Sequence, residues 1–160
     1  GLVAIGKAVA DKITTSGARP ALTRLLPVEP SPPDKVWYLA GDMALANLVS
    51  FSGLVPMRFS EGAAGDYGGY RLFLLAFKNP DEATDRVASA ISRVEAAGHS
   101  PLDPTQTAAS QVSRFKNKTG EIVHLEWVEK FILMAVGDVN NDFALIRENL
   151  LMFLGPVGGD

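Results

Sequence analysis

The chain has 160 residues, the size of one ordinary domain, a length at which folding removes roughly two thirds of the unfolded chain's surface from water. Hydrophobic residues make up 47% and charged residues 21%, which excludes the composition of a disordered chain. A net charge of −3, from 18 acidic and 15 basic residues, gathers no positive field for nucleic acid, and the lack of cysteine excludes disulfides, thiolate catalysis and thiolate-held metals.

In chain order, Leu2, Ile5, Val9 and Ile13 recur at helical spacing and predict a short amphipathic helix over residues 2 to 13. Lys7 and Asp11 interrupt the uncharged stretch that a signal peptide requires, and the glycine at position 1 fits a trimmed product, so any leader is expected to have been removed. Five of the ten prolines lie between Pro20 and Pro33. Proline cannot donate the hydrogen bonds of a helix or central strand, so this stretch reads as an extended connector. Residues 1–33 are thus expected to be an N-terminal helix with a proline-rich connector, and residues 34–160 a single α+β domain.

Lys35 to Leu39 reads as a strand, and Gly41-Asp42 opens a helix with apolar Met43, Ala46, Leu48, Val49 and Phe51, ended by Gly53. Val55 to Phe59 and Tyr70 to Phe77 flank the glycine-rich Gly62-Ala-Ala-Gly-Asp-Tyr-Gly-Gly69, which predicts a hairpin with a flexible tip. Asn79-Pro-Asp-Glu82 is a helix start: an asparagine cap, proline at the first helical position, and two acids at the positive end of the dipole. Ala83, Val87, Ile91 and Val94 form the buried stripe of that helix, and Gly98 ends it.

Gln111 to Lys116, Glu121 to Val128 and Phe131 to Val136 predict an antiparallel meander with a first turn at Asn117-Lys-Thr-Gly120. The apolar run Phe131 to Val136 falls far short of the roughly 20 residues of a transmembrane helix. A last helix from Asn140 or Asn141 is expected to bury Phe143, Ile146, Leu150 and Phe153. Strand, strand, helix therefore occurs twice. The fold class expected is α+β, a mainly antiparallel sheet with amphipathic helices packed on one face, as two β-β-α quasi-repeats.

No residue set assigns catalysis, a metal or a cofactor. The glycine-rich segment lacks the following helix, or Lys and Ser/Thr, of a phosphate loop; its Tyr67 is the side chain best placed to touch a partner. Asp138-Val-Asn-Asn-Asp142 begins like a calcium loop, but Phe143 stands where the loop needs glycine and Asn149 where it needs glutamate. His124 and Glu126 share one strand face and could form an acid–base pair or half of a metal site; an ordinary surface or satisfied histidine is the plainer reading. Arg114, Lys116 and Lys118 alternate as the charges of an edge strand do, and Trp127 alternates with Leu125 and Val123 as a packing residue does. Ser50-Phe-Ser-Gly53 has neither the spacing nor the context of a nucleophile elbow.

Leu25-Leu-Pro27, Val36-Trp-Tyr-Leu-Ala-Gly41, Tyr70 to Phe77 running into Asn79-Pro-Asp-Glu-Ala83, Gly120-Glu-Ile-Val-His124 and Lys130 to Asp138 form a pattern over residues 25–154. The pattern resembles a family of uncharacterised bacterial secreted, lipoprotein-type domains of unknown function. The resemblance implies a periplasmic or extracellular location and brings no catalytic residues. The expected function is a non-enzymatic exported domain that binds a protein or a small-molecule ligand, with Tyr67, His124, Glu126 and Trp127 as candidate contacts. The alternative is a hydrolase or transferase assembled from dispersed His124, Glu126, Asp66 and Tyr67, which requires those side chains to converge.

Overall fold

A strand with a continuous apolar run needs cover on both of its faces, and two segments of this chain are of that kind: Tyr70–Ala76, apolar from Leu72 onward, and Phe131–Gly137. In the computed structural model, which describes residues 21–106, 111–139 and 141–154, these segments are adjacent central strands of a seven-stranded sheet. The strands are β1 (Lys35–Leu39), β2 (Glu61–Asp66), β3 (Tyr70–Ala76), β4 (Ser100–Pro101), β5 (Val112–Lys116), β6 (Ile122–Val128) and β7 (Phe131–Gly137). They lie in the order β1-β2-β3-β7-β6-β5-β4, and every neighbouring pair is antiparallel. Helices α1 (Asp42–Ala46), α2 (Pro80–Ala96) and α3 (Asn141–Leu154), with a 3-10 turn at Ala21–Leu25, complete an α+β fold that is mostly sheet.

Alternation along the central strands divides the core in two. Phe73 and Leu75 of β3, Ile132 and Met134 of β7, Val123 and Leu125 of β6 and Phe115 of β5 pack with Ala83, Val87, Ala90, Ile91 and Val94 of α2. Leu72 and Leu74 of β3 and Leu133 and Ala135 of β7 pack on the other face with Phe143, Ile146, Leu150 and Leu154 of α3 and with Leu22 and Leu26. The two long helices therefore cover opposite faces, which corrects the expectation that both roof one face. Helical periodicity marks which stripe of a helix is buried and is silent on which side of a sheet buries it.

The same placement breaks the β-β-α repeat. Hairpins β2-β3 and β7-β6 flank the sheet centre symmetrically. A two-fold axis relating adjacent antiparallel strands stands perpendicular to the sheet, however, and would leave both helices on one side. The likeness is confined to the strands.

Local chemistry sets the elements where it is strong. The Asn79 side chain accepts from the Glu82 N–H at 2.8 Å and proline occupies the first turn of α2, as the sequence predicts. By contrast, α1 has only five residues and no side-chain cap. Asp42 instead accepts from the Met57 and Arg58 N–H groups at 2.8 and 3.0 Å, and so holds the following loop. That loop is latched to α2: Arg93 donates to the Gly53 and Pro56 carbonyls at 3.0 and 2.6 Å. Gly53, at φ +94°, lies so close that an added Cβ would sit 2.7 Å from the Val94 nitrogen.

The glycine-rich segment differs from its expectation as a flexible tip. Residues Glu61–Asp66 form β2, between β1 and β3, and Gly62 to Gly65 are buried. Small residues are required because neighbours press on them. A Cβ at Gly62 would meet Leu75 at 3.0 Å, and one at Gly65 would meet the Tyr67 ring at 2.9 Å. The turn itself is Gly68-Gly69, closed by Tyr67 N–H donating to the Tyr70 carbonyl at 3.0 Å, with Gly68 at φ +92°. Val55 to Phe59 is loop rather than strand.

The expected helix at residues 2–13 lies outside the described residues. From residue 21 the connector belongs to the packed body, since Leu22 and Leu26 are buried beside Ala63 and Leu72, so position 33 marks no break in packing. At the other end, Leu154 is buried and Phe153 is 75% exposed, the reverse of the expectation for Phe153. At about 100° per residue, Leu154 falls about 20° from Phe143 around the helix and Phe153 about 80° away. Among the described residues no helix is long and apolar enough to cross a membrane.

Candidate functional site

Two polar positions on the inward face of β6 break an otherwise apolar layer. His124 is 4% exposed and Glu126 1%, and they lie beside α3 on the second core's face. Alternation brings them to the same side, as the sequence predicts, and their side chains meet: His124 Nε2 is 3.1 Å from Glu126 Oε2. The partner that sequence reasoning missed is Arg147 of α3. Its Nε donates to Glu126 Oε2 and its Nη2 to Oε1, both at 2.5 Å, a bidentate fork closed across 21 residues of chain. The only signal in the sequence is that Arg147 follows Phe143 by one helical turn, so a residue on the buried stripe places a cation on the same edge.

The charges of this group follow from its surroundings. Burial pushes the Glu126 carboxyl upward, but hydrogen bonds from His124 and Arg147 and the arginine's charge outweigh it, so the carboxyl titrates below its usual range. For His124, burial dominates over Glu126's attraction, and Arg147 and Arg114 add repulsion, so the imidazole titrates below its ordinary value. It is thus a neutral ring near pH 7. Beside an ionised carboxylate its proton sits on Nε2, which leaves Nδ1 as the basic nitrogen. Burial opposes the charge on Arg147, but its hydrogen bond to Glu126 prevails and holds the guanidinium above its usual value.

Over this group lies a cleft of about 360 Å³, lined by Arg114, His124, Val139, Phe143, Ala144, Arg147 and Glu148. Arg114 stands opposite His124 in the β5–β6 ladder, and its own N–H donates to Gln106 Oε1 at 2.9 Å. Arg147 spends Nε and Nη2 on Glu126, so the hydrogens on Nη1 remain for a guest. The Phe143 ring packs edge-on against His124 at 4.8 Å and meets Tyr70 at 5.8 Å, and Tyr70 stacks on Tyr67 at 5.6 Å. A row of rings thus runs from the cleft to the Gly68-Gly69 hairpin.

The remaining sequence candidates lie apart from the cleft. Tyr67 donates its hydroxyl to the Pro27 carbonyl at 2.8 Å, fastening the connector to the hairpin, and burial holds its ionisation well above the usual phenol range. Asp66 accepts from the Gly68 N–H at 3.0 Å and faces Arg71 at 3.7 Å. Trp127 packs against the first core, and its Nε1 meets no hydrogen-bond partner among the described residues. Of His124, Glu126, Asp66 and Tyr67, only the first two come together. Among the described residues no group of three or more His, Asp or Glu could hold a metal ion.

Two other features stand apart from the cleft. Ser52 Oγ lies 2.8 Å from His99 Nε2, a contact between segments far apart in sequence, but the pair is exposed and does not line the cleft. A groove of about 430 Å³ between Arg24–Glu29 and the end of α3 is walled mainly by Leu25, Leu26, Pro27, Val28 and Phe153. It is roomy and mainly apolar, whereas the β5–β6–α3 cleft sets Arg114, His124, Arg147 and Glu148 beside an apolar wall. No protein-family model, curated protein or solved structure matches the chain.

Proposed function

We propose that the chain is a non-enzymatic binding domain that holds a small organic molecule in the cleft between β5, β6 and α3. One observation carries the reading: Arg147, locked in a bidentate fork on the buried Glu126, presents its free edge to a cleft that also receives Arg114, His124 and the Phe143 ring. A buried ion pair contributes little net stability, because desolvation offsets the attraction. Its usefulness here is to fix a guanidinium in one orientation, which lowers the cost of ordering it around a guest.

Binding is favoured over turnover by the chemistry of the walls. Among the described lining residues there is no hydroxyl, thiol or amine that His124 could activate as a nucleophile. The dispersed hydrolase or transferase needs Asp66 and Tyr67 at His124, and both are engaged at the hairpin. Export from the cytoplasm is part of the same proposal and rests on the resemblance of residues 25–154 to secreted bacterial domains. Recovery of the chain from the cytoplasmic fraction of its source cells would count against export alone.

The cleft is tested by ligand-observed NMR with a library of small organic acids, amines and alcohols. Ala144 is exposed on the cleft wall, so Ala144→Trp fills the space without disturbing the core. Hits on the wild-type protein should disappear in that variant. Hits that persist in Ala144→Trp place the ligand elsewhere and remove the proposal.

A further inference from the structure

We infer, building on the cleft reading above, that the guest is a zwitterion of α-amino-acid type, its carboxylate held by Arg114 and Arg147 and its ammonium by Glu148. The inference follows from the cleft's charges. Arg147 is matched by Glu126 beneath it. Arg114 on the sheet wall and Glu148 on the helix wall form no contact ion pair among the described residues, although Glu148 adds to the field that holds the Arg147 charge. One charge of each sign is therefore left over, on opposite sides of the same opening.

A guest that satisfies both walls must itself carry both signs. A simple carboxylate would find Arg114 and the Nη1 hydrogens of Arg147 but would add a second negative charge beside Glu148, which already acts on Arg147. A simple amine would meet Glu148 and be repelled by Arg114. Unmet charges of this kind discriminate between ligands as strongly as the contacts made. The third requirement is apolar: Val139, Phe143 and Ala144 offer a hydrocarbon surface beside the charged groups, suited to an aliphatic or aromatic side chain. His124, neutral and tied to Glu126 through Nε2, adds no charge to the balance and can accept an ammonium hydrogen at Nδ1.

The test uses the whole chain and two sets of probes, read by calorimetry or ligand-observed NMR. The first set is L-leucine, 4-methylpentanoate and 3-methylbutylamine; the second is L-phenylalanine, 3-phenylpropionate and 2-phenylethylamine. In at least one set the amino acid should bind at least about fivefold more tightly than either single-charge analogue, the size expected of one charge-assisted contact. Glu148→Gln should lower the amino acid to the level of its acid analogue, and Arg114→Gln to that of its amine analogue. Both side chains are exposed, so neither change threatens folding.

The inference is overturned if the acid analogue binds as tightly as the amino acid, if Glu148→Gln leaves amino-acid binding unchanged, or if neither amino acid binds. Should these outcomes occur while other small molecules are still lost in Ala144→Trp, the cleft stands and only the zwitterion falls. If no molecule responds to Ala144→Trp, both readings fall together.

Discussion

Glu126 is 1% exposed and ionised, so every group that touches it matters more than a surface contact would. Truncating Arg147 to alanine leaves that carboxylate with His124 alone, and removing one member of a buried pair costs about 3–5 kcal/mol. A urea titration of Arg147→Ala should find a loss near the lower end of that range, because the arginine is itself about a third exposed. A loss below about 1 kcal/mol would mean that water already reaches the carboxylate.

His124 makes stability depend on pH in a stated direction. Its folded pKa lies below the unfolded value of about 6.5, so the unfolded chain takes up a proton first as the solution is acidified. The contribution is intact above about pH 6.5 and declines as pH falls from there toward the folded pKa. Glu126, also depressed, adds a second loss beginning near its unfolded value of about 4.3. Urea midpoints measured at pH 7.5 and 5.5 should therefore fall in the wild type and converge in His124→Gln. An equal drop in the variant would assign the acid sensitivity to other groups.

Among the elements, α2 and its latched loop allow a test of close approach. Gly53→Ala places a methyl group against the α2 backbone at a positive φ, and the combined strain should cost about 2–3 kcal/mol. Asn79→Ala at the start of the same helix loses only its cap, about 1 kcal/mol. Thermal denaturation of the two variants should rank them in that order.

These elements also mark how far local sequence reaches. The Asn79-Pro-Asp-Glu start and the strands of the meander were legible because their signals lie within a few residues. His124 and Glu126 could be placed on one face because strand period is two. Arg147 could not be joined to them, since that contact depends on which side of the sheet α3 packs. Nor could the burial of Gly62 to Gly65 be seen: a glycine kept small by a neighbour's ring reads in sequence like a glycine kept for a turn. Phe153 and Leu154 show the finest limit, where one residue of phase decides which is buried.

For the whole molecule, the second core draws on segments far apart in the chain, Leu22 and Leu26 from before β1 and Leu150 and Leu154 from α3. Leu26→Ala should destabilise the entire domain by about 2–5 kcal/mol, as a large-to-small change in a packed interior does, although the residue lies in the proline-rich stretch. If calorimetry finds a cost near zero, residues 21–33 are a tether after all.

Helices on opposite sides of one sheet give the molecule two oily compartments with a shared partition. Residues 72–75 and 132–135 are that partition, each presenting alternate side chains to either compartment. Loosening one compartment strips the backing from strands that the other relies on, so neither can melt alone. Amide protons in these two stretches should consequently exchange with deuterium only through complete unfolding, at the slowest and most uniform rates in the chain.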